Sequence, residues 1–220
     1  MVPKKLFSAL RNTWGEALKY NKKRDAWTTI QQARALISKG PDSEAYDFLN
    51  TAVRRFPDNA EIRLLYASVV LPTHPEEGVL EVVKAVELEP NEPNRLARAA
   101  DLIYSMGHIE LAREYASAAR DYGGTNFLFS PELTRLEADL ALRDGDKNAA
   151  ESGYRSAVQL EPHNEALSLS LAKFLAKQGR RGEAVQELER ALRVGTEESG
   201  VQGDELARLR DEIREGRQGS

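Results

Sequence analysis

Apolar and polar residues alternate along most of the chain with the spacing of amphipathic α-helices. Within this pattern a triplet of small residues recurs, of which Ala33, Ala45 and Ala52, spaced by twelve and seven, form the first copy. The other copies are Ala67, Gly78 and Ala85 (one residue shorter); Ala100, Ala112 and Ala119; Ala138, Ala150 and Ala157; and Ala172, Ala184 and Ala191. Small side chains let two helices approach closely where they cross, so the pattern predicts five helix pairs.

Glycine and proline mark the ends of these predicted helices. Four glycines stand seven positions after the first small residue of a triplet: Gly40, Gly107, Gly145 and Gly179. Glycine ends a helix because it adopts positive φ at little cost, and Pro57, Pro90 and Pro162 stop the following helix because proline cannot continue the hydrogen-bond ladder. The unit is therefore helix, glycine turn, helix, proline turn, with a period of about 34 residues.

A repeat of this kind resembles the tetratricopeptide repeat family. The copies read ALISKGPDSEAYDFLNTAVRRFP, ADLIYSMGHIELAREYASAARDYG, ADLALRDGDKNAAESGYRSAVQLEP and AKFLAKQGRRGEAVQELERALRV, with ASVVLPTHPEEGVLEVVKAVELEP as a divergent second repeat. The family's tryptophan near the start of the first helix is absent from its usual place in every copy. The resemblance implies an all-α fold: a right-handed superhelical solenoid of about five helix-turn-helix repeats with N- and C-terminal capping helices.

The predicted domain organisation has three parts. Residues 1–25 form a basic amphipathic N-terminal helix, residues 26–198 the solenoid, and residues 199–220 a C-terminal capping helix and tail. The predicted repeats are 26–59, 60–92, 93–126, 131–164 and 165–198.

The N-terminal segment is basic, with seven Lys and Arg residues against two acids, and its apolar stripe comprises Leu6, Leu10, Trp14 and Leu18. The interpretation favoured here is a helix that caps the first repeat. Two alternatives stay open, a membrane-surface helix and a docking element for an acidic partner. Trp14 is in addition a candidate contact for self-association, which the sequence leaves open.

The resemblance implies that the first helix of each pair lines a concave groove that receives an extended peptide or a helix. Carried over by repeat register, the partner-binding candidates are Trp27, Gln31, Arg34, Arg98, Asp101, Tyr104, Arg135, Asp139, Arg143, Lys173 and Lys177. Six bases here face two acids, a surplus that favours an acidic partner segment, with Trp27 and Tyr104 as anchors. An equally weighted interpretation is that these charges form ordinary salt bridges between neighbouring repeats.

A longer connection between the third and fourth repeats carries Phe127 and Phe129. We expect the two rings to cover the adjacent core, with an exposed patch for a partner as the alternative. The chaperone-binding members of the family use a carboxylate clamp of Lys, Asn and Arg, which this chain matches only at Arg98. A chaperone C-terminal tail is therefore not an expected partner.

The composition limits the chemistry that the chain can perform. It has no cysteine and only three histidines, His74, His108 and His163, which lie in different repeats, so neither a metal site nor a catalytic triad is expected. Asp144–Asn148 begins like a calcium loop, but alanine and arginine occupy its essential later positions. No catalytic residue, cofactor or metal is predicted, and the chain is not expected to be an enzyme.

The net charge of −4 argues against nucleic acid as a partner, and the sequence shows neither a transmembrane stretch nor a signal peptide. The sequence therefore predicts a cytoplasmic, non-enzymatic scaffold or adaptor that binds a protein segment in the groove. The alternatives are a peripheral membrane assembly factor attached through the N-terminal helix and a non-catalytic subunit of an enzyme complex.

Overall fold

The computed structural model describes residues 4–40, 43–124, 130–194 and 200–215, with backbone alone for 4–20, 194 and 200–203. These residues form helices and no strand. The helices are α1 Lys4–Lys39, α2 Ser43–Arg55, α3 Ala60–Val70, α4 Pro75–Leu88, α5 Pro93–Ser105, α6 Ile109–Gly123, α7 Pro131–Arg143, α8 Lys147–Leu160, α9 Glu165–Lys177, α10 Arg181–Val194 and α11 Gly200–Arg214.

The four glycines that were predicted to end helices have the positive φ that this role requires. Gly40, Gly107, Gly145 and Gly179 have φ between 79° and 127°, a region that other residues rarely adopt. At the opposite helix ends, Asn59, Ser130, Asp146 and Asn164 each accept a hydrogen bond from a backbone N–H in the first turn. Asp146 belongs to the segment Asp144–Asn148 that begins like a calcium-binding loop, and here it caps the N-terminus of α8.

The small residues lie where the sequence pattern predicts helix contacts. All fifteen members of the five triplets are buried. A further small residue, Gly153 of α8, faces α7 so closely that a Cβ at this position would lie 2.8 Å from the Cβ of Ala138. Close approach between paired helices thus depends on these positions.

The helices form two compact units, residues 1–90 with 102–108 and residues 91–101 with 109–220. In the first unit, α1, α2 and α3 bury two adjoining apolar clusters. Their buried members are Ala33, Ala45, Leu49, Leu65, Tyr66, Val69 and Val70 in one, and Ala26, Ala52, Phe56 and Ile62 in the other. The tilted rings of Tyr46 and Tyr66 lie 5.9 Å apart beside the larger cluster.

The second unit has a core that continues from α7 to α11. Tyr154 of α8 and Phe174 of α9 pack with ring centroids 5.2 Å apart. Leu206 of α11 is fully buried in this core, and Leu209 and Ile213 pack against it. The last helix thus covers the apolar side of the fifth helix pair.

The N-terminal boundary predicted at residue 25 falls inside α1, which continues unbroken from Lys4 to Lys39. No glycine or proline interrupts the chain between Gly15 and Gly40, so nothing there stops the helix. The side chain of Trp14 lies outside the described residues, as do Phe127 and Phe129 entirely. The predictions made for these three residues therefore stay predictions.

Candidate functional site

In the first unit, the candidate residues of α1 share one solvent-facing side of the helix. Trp27, Gln31 and Arg34 follow each other at helical spacings of four and three, and all three are exposed. The indole of Trp27 is unusual among them because 63% of its surface is open to solvent. Arg34 donates a hydrogen bond of 2.9 Å to the carboxylate of Glu61 on α3, which fixes this side of α1 against the next first helix.

In the second unit, Arg135 of α7 lies between two carboxylates. Its guanidinium donates to Asp101 on α5 and to Asp139 one turn further along α7. Tyr154 of α8 donates its hydroxyl to the other oxygen of Asp139. Three predicted groove residues therefore form one hydrogen-bonded network, in which the Arg135 cation is already neutralised.

Asp139 is the electrostatically unusual member of this network. Burial raises the pKa of its carboxyl above the ordinary value of 3.8, although the hydrogen bond from Tyr154 and the charge of Arg135 act in the opposite direction. Lys177 of α9 also contributes a favourable field, while the charge of Asp101 is unfavourable. The network is thus a partly desolvated structural cluster, with two carboxylates arranged around one guanidinium.

The same type of pairing recurs at the end of the second unit. Lys173 of α9 donates to Glu205 of α11 at 2.9 Å. Arg34–Glu61 and Asp101–Arg135 each join two successive first helices within one unit, and Lys173–Glu205 joins the first helix of the fifth pair to α11. The interpretation of salt bridges between neighbouring elements therefore describes these three bases. Both partners of the Lys173 pair are about half exposed, so that pair contributes little to stability by itself.

The remaining candidates differ in how they meet solvent. Arg98 and Tyr104 are half-buried, whereas Arg143 and Lys177 are exposed and form no ion pair within the described part of the chain. The last two occupy equivalent positions, five residues after the first small residue of their repeats and at the C-terminal ends of α7 and α9. They are the exposed groove candidates of the second unit that a partner can reach without displacing a carboxylate of the described chain.

Sequence reasoning missed Glu205 and Tyr154 as members of these clusters. Glu205 stands 32 residues after Lys173, close to one repeat period, so a search for opposite charges one period apart would have found it. Tyr154 carries no such signal, because the repeat pattern treats it only as an apolar core position. Its hydroxyl finds Asp139 through the three-dimensional pairing of α7 with α8.

Over the residues that the structure describes, no group of three or more His, Asp or Glu side chains is arranged to hold a metal ion. The search for a membrane span over the same residues finds no helix that is long and apolar enough.

Comparisons with known proteins show what this chain is similar to. Residues 141–203 match the tetratricopeptide repeat family. Cellulose synthase operon protein C of Pseudomonas fluorescens strain SBW25 is 24% identical over 204 residues, a match that covers 74% of this chain and 16% of that protein. The chain therefore spans about a sixth of the length of this curated relative.

Solved structures show the same fold. The chain is similar to PilF of Pseudomonas aeruginosa, with a TM-score of 0.63, 17% identity and coverage of 90% of this chain and 89% of that one. It is also similar to the tetratricopeptide repeat protein TTC0263 of Thermus thermophilus, with a TM-score of 0.71, 16% identity and coverage of 86% and 98%. These matches and the helix pairs confirm the predicted fold: the described residues form an all-α solenoid of helix pairs like that of tetratricopeptide repeat proteins, the family that residues 141–203 match.

Proposed function

We propose that the chain is a non-enzymatic adaptor that binds a segment of another protein through the outward sides of its first helices. The observation that carries this proposal is the exposure of Trp27 on a helix whose position is fixed. Buried Ala26 and Ala33 hold α1 against the core, and the Arg34–Glu61 ion pair joins it to α3. A rigidly presented indole costs little conformational entropy on binding and is typical of the anchors that dominate interfaces.

In this proposal Arg143 and Lys177 of the second unit bind acidic groups of the partner. Arg135 and Lys173, which the sequence offered for the same role, already face carboxylates of the chain itself. A partner would have to displace these carboxylates, whereas the two exposed bases can bind without breaking a bond. Orientation and association rate, more than affinity, are expected from such charges.

The absence of enzymatic activity and the cytoplasmic location are parts of this proposal. Attachment to a membrane surface and membership of an enzyme complex as a non-catalytic subunit remain alternative predictions.

The proposal is tested by affinity capture from an extract of the source organism, with three forms of the chain as bait. They are the wild type, Trp27→Ala and the control Tyr122→Ala, which removes another aromatic ring that is more than half exposed. We expect one partner to be captured by wild type and control and to be reduced at least about tenfold with Trp27→Ala, since loss of a central aromatic anchor costs about 2 kcal/mol or more. Equal capture by all three would show that α1 is not the binding surface.

The electrostatic part is tested by Arg143→Glu with Lys177→Glu. The matched control is Arg181→Glu with Arg193→Glu, an equal charge change at exposed positions of α10. We expect the association rate for the captured partner to fall only in the first pair, and to depend less on salt. If both pairs slow association equally, net charge rather than this site governs the encounter.

A further inference from the structure

A cleft of about 640 Å³ lies between α1 and α2 in the first unit, on a different side of α1 from Trp27. Its floor is apolar: Ala52 and Phe56 are buried, and Phe48 is half-buried. Exposed polar side chains of both helices line the rim, among them Gln32 of α1 and Thr51 of α2, and the buried Thr29 of α1 lies deeper in the cleft. The cleft therefore has the composition of a docking groove for an amphipathic helix, apolar below and polar at the edges.

The charge around this cleft is predominantly negative. Glu44 and Asp47 of α2 are exposed at its edge. Arg55 is the base that lines it, and its guanidinium donates to Asp25 of α1 at 3.1 Å. Two carboxylates thus line the cleft against one guanidinium that is already paired with Asp25, which favours a basic occupant.

The side of α1 that lines the cleft continues toward the N-terminus of the same helix. Trp14 and Gln32 are 18 positions apart, which is five turns at about 3.6 residues per turn, and Leu18 and Thr29 are separated by about three turns. The apolar stripe of the N-terminal half and the rim of the cleft therefore share one face of α1 by helical register. The N-terminal half is also the basic part of the chain.

The N-terminal half of α1 cannot occupy the cleft of its own molecule. Because α1 is one unbroken helix of 36 residues, residues 4–25 extend along its axis and cannot turn back beside α2. They span about 33 Å, more than the roughly 20 Å of the 13-residue helix α2. A second molecule can therefore supply a helix of sufficient length, matching charge and matching polarity.

We propose that two copies of this chain pair through α1, each placing the N-terminal half of its helix in the α1–α2 cleft of the other. The two helices run antiparallel about a two-fold axis, so the same face of each is used twice. In that arrangement the N-terminal end of one α1 lies beside the C-terminal end of the other, close to the start of α2. By helical register, Lys4 and Arg11 of one copy then stand opposite the segment of the other copy that carries Glu44 and Asp47.

The test is sedimentation equilibrium of the full chain and of charge variants, with circular dichroism to verify that each is folded. The wild type is expected to be a dimer at micromolar concentration. Glu44→Lys with Asp47→Lys, and separately Lys4→Glu with Arg11→Glu, should raise the dissociation constant at least about thirtyfold, because like charges then face each other. Glu110→Lys with Glu114→Lys, an equal change at exposed positions of α6, should leave it unchanged.

Mixing the two interface variants is the decisive step. Opposite charges then meet again in both clefts, so the mixture should form a heterodimer although each variant alone is a monomer. A wild-type chain that stays monomeric at high micromolar concentration would overturn the proposal. So would a dimer that the cleft variant leaves intact, or a mixture of folded variants that does not associate.

Discussion

The second helix pair, in the first unit, and the fifth, in the second unit, both bind the proline turn that precedes them, but with arginines from opposite helices. In α3–α4 the guanidinium belongs to Arg63 on the first helix. It donates to the carbonyl oxygen of Pro57 at 2.8 Å and to the buried carboxylate of Glu81 on α4. Lys84 donates to the other oxygen of Glu81 at 2.8 Å.

In α9–α10 the guanidinium belongs to Arg190 on the second helix. It donates to the carbonyl oxygen of Pro162 at 3.1 Å, to the buried hydroxyl of Ser168 at 2.8 Å and to Glu187 at 2.6 Å. Ser168 stands six residues after its proline, as Arg63 does after Pro57. Ser168 therefore occupies the position in the fifth pair that Arg63 occupies in the second, and the arginine of the fifth pair, Arg190, lies on the second helix.

Tyrosine–carboxylate bonds show the same reversal. Tyr66 on the first helix of its pair donates to Glu77 on the second at 2.6 Å, whereas Tyr154 on the second helix of its pair donates to Asp139 on the first. In these pairs the polar bond supplies a partner to a carbonyl, hydroxyl or carboxylate, because such a group is costly when it is buried without one. The donor can come from either helix, so the polar residues vary where the small residues recur.

The largest effect is expected for Arg63→Ala, which leaves Glu81 buried with Lys84 as its remaining base. Removing one partner of a buried ion pair leaves a charge that the half-exposed Lys84 compensates only in part, so we expect a loss of about 3 kcal/mol in the free energy of unfolding. Urea denaturation followed by circular dichroism measures it. The double variant Arg63→Ser with Lys84→Arg reproduces the arrangement of the fifth pair and should recover most of the loss. No recovery would contradict the equivalence of the two arrangements.

Arg190→Ala should cost less, about 1.5 kcal/mol, by the same measurement. The guanidinium is about a third exposed, and water can replace part of what it binds, but the hydroxyl of Ser168 loses its partner in a buried place. The control is Arg193→Ala, at an exposed position three residues further along α10, which should change stability little. Equal costs for Arg190→Ala and Arg63→Ala would show that the exposure of the arginine does not set the size of the effect.

A smaller effect separates two glycines of the second unit. Gly153→Ala places a Cβ 2.8 Å from that of Ala138, and neither atom can rotate away, so we expect a net loss of about 1 kcal/mol despite the better helix propensity. Gly182→Ala in α10 meets nothing within 4 Å and should gain up to about 1 kcal/mol. Thermal unfolding of both variants checks the contrast, and the same sign for both would refute it.

The predictable part of the fold is the part that backbone geometry dictates. Gly40 and Gly145 require positive φ, and Ala138 or Ala150 must be small whichever neighbour they face. Such demands recur at a fixed period, and one sequence suffices to reveal them. The sequence also indicated that α1 is unbroken, because residues 16–39 contain no glycine or proline. The boundary was predicted at residue 25 because the basic segment ends there.

The pairing of charges was less predictable. A long side chain reaches any of several carboxylates, and the choice depends on helix positions within a few ångströms, so Arg135 and Lys173 could be assigned to a helix face but not to Asp101 or Glu205. Trp27 is exposed on α1, and its assignment to a concave groove stays a prediction. Its role as an anchor stays a prediction.

The smallest effect is expected for Asp139, which accepts the hydrogen bond from Tyr154. Because burial raises the pKa of Asp139, the folded state binds a proton there more tightly than the unfolded chain, and the ionised carboxylate costs stability at neutral pH. This cost disappears as the pH falls from above the raised pKa to below the ordinary value of 3.8. Relative to Asp139→Asn, the wild type should therefore become more stable as the pH is lowered.

Glu151, in the same unit, is the matched control because its pKa is shifted in the opposite direction. The hydrogen bonds from Arg180 and Arg155 lower the pKa of Glu151 below 4.5, so its contribution is present above that pH and is lost as the pH falls through the lowered value. Relative to Glu151→Gln, the wild type should become less stable on acidification. Urea denaturation of the wild type and both variants between about pH 7 and about pH 3 gives the two slopes. Slopes of the same sign would show that Asp139 is stabilised by Tyr154 and Arg135 more than it is penalised by burial.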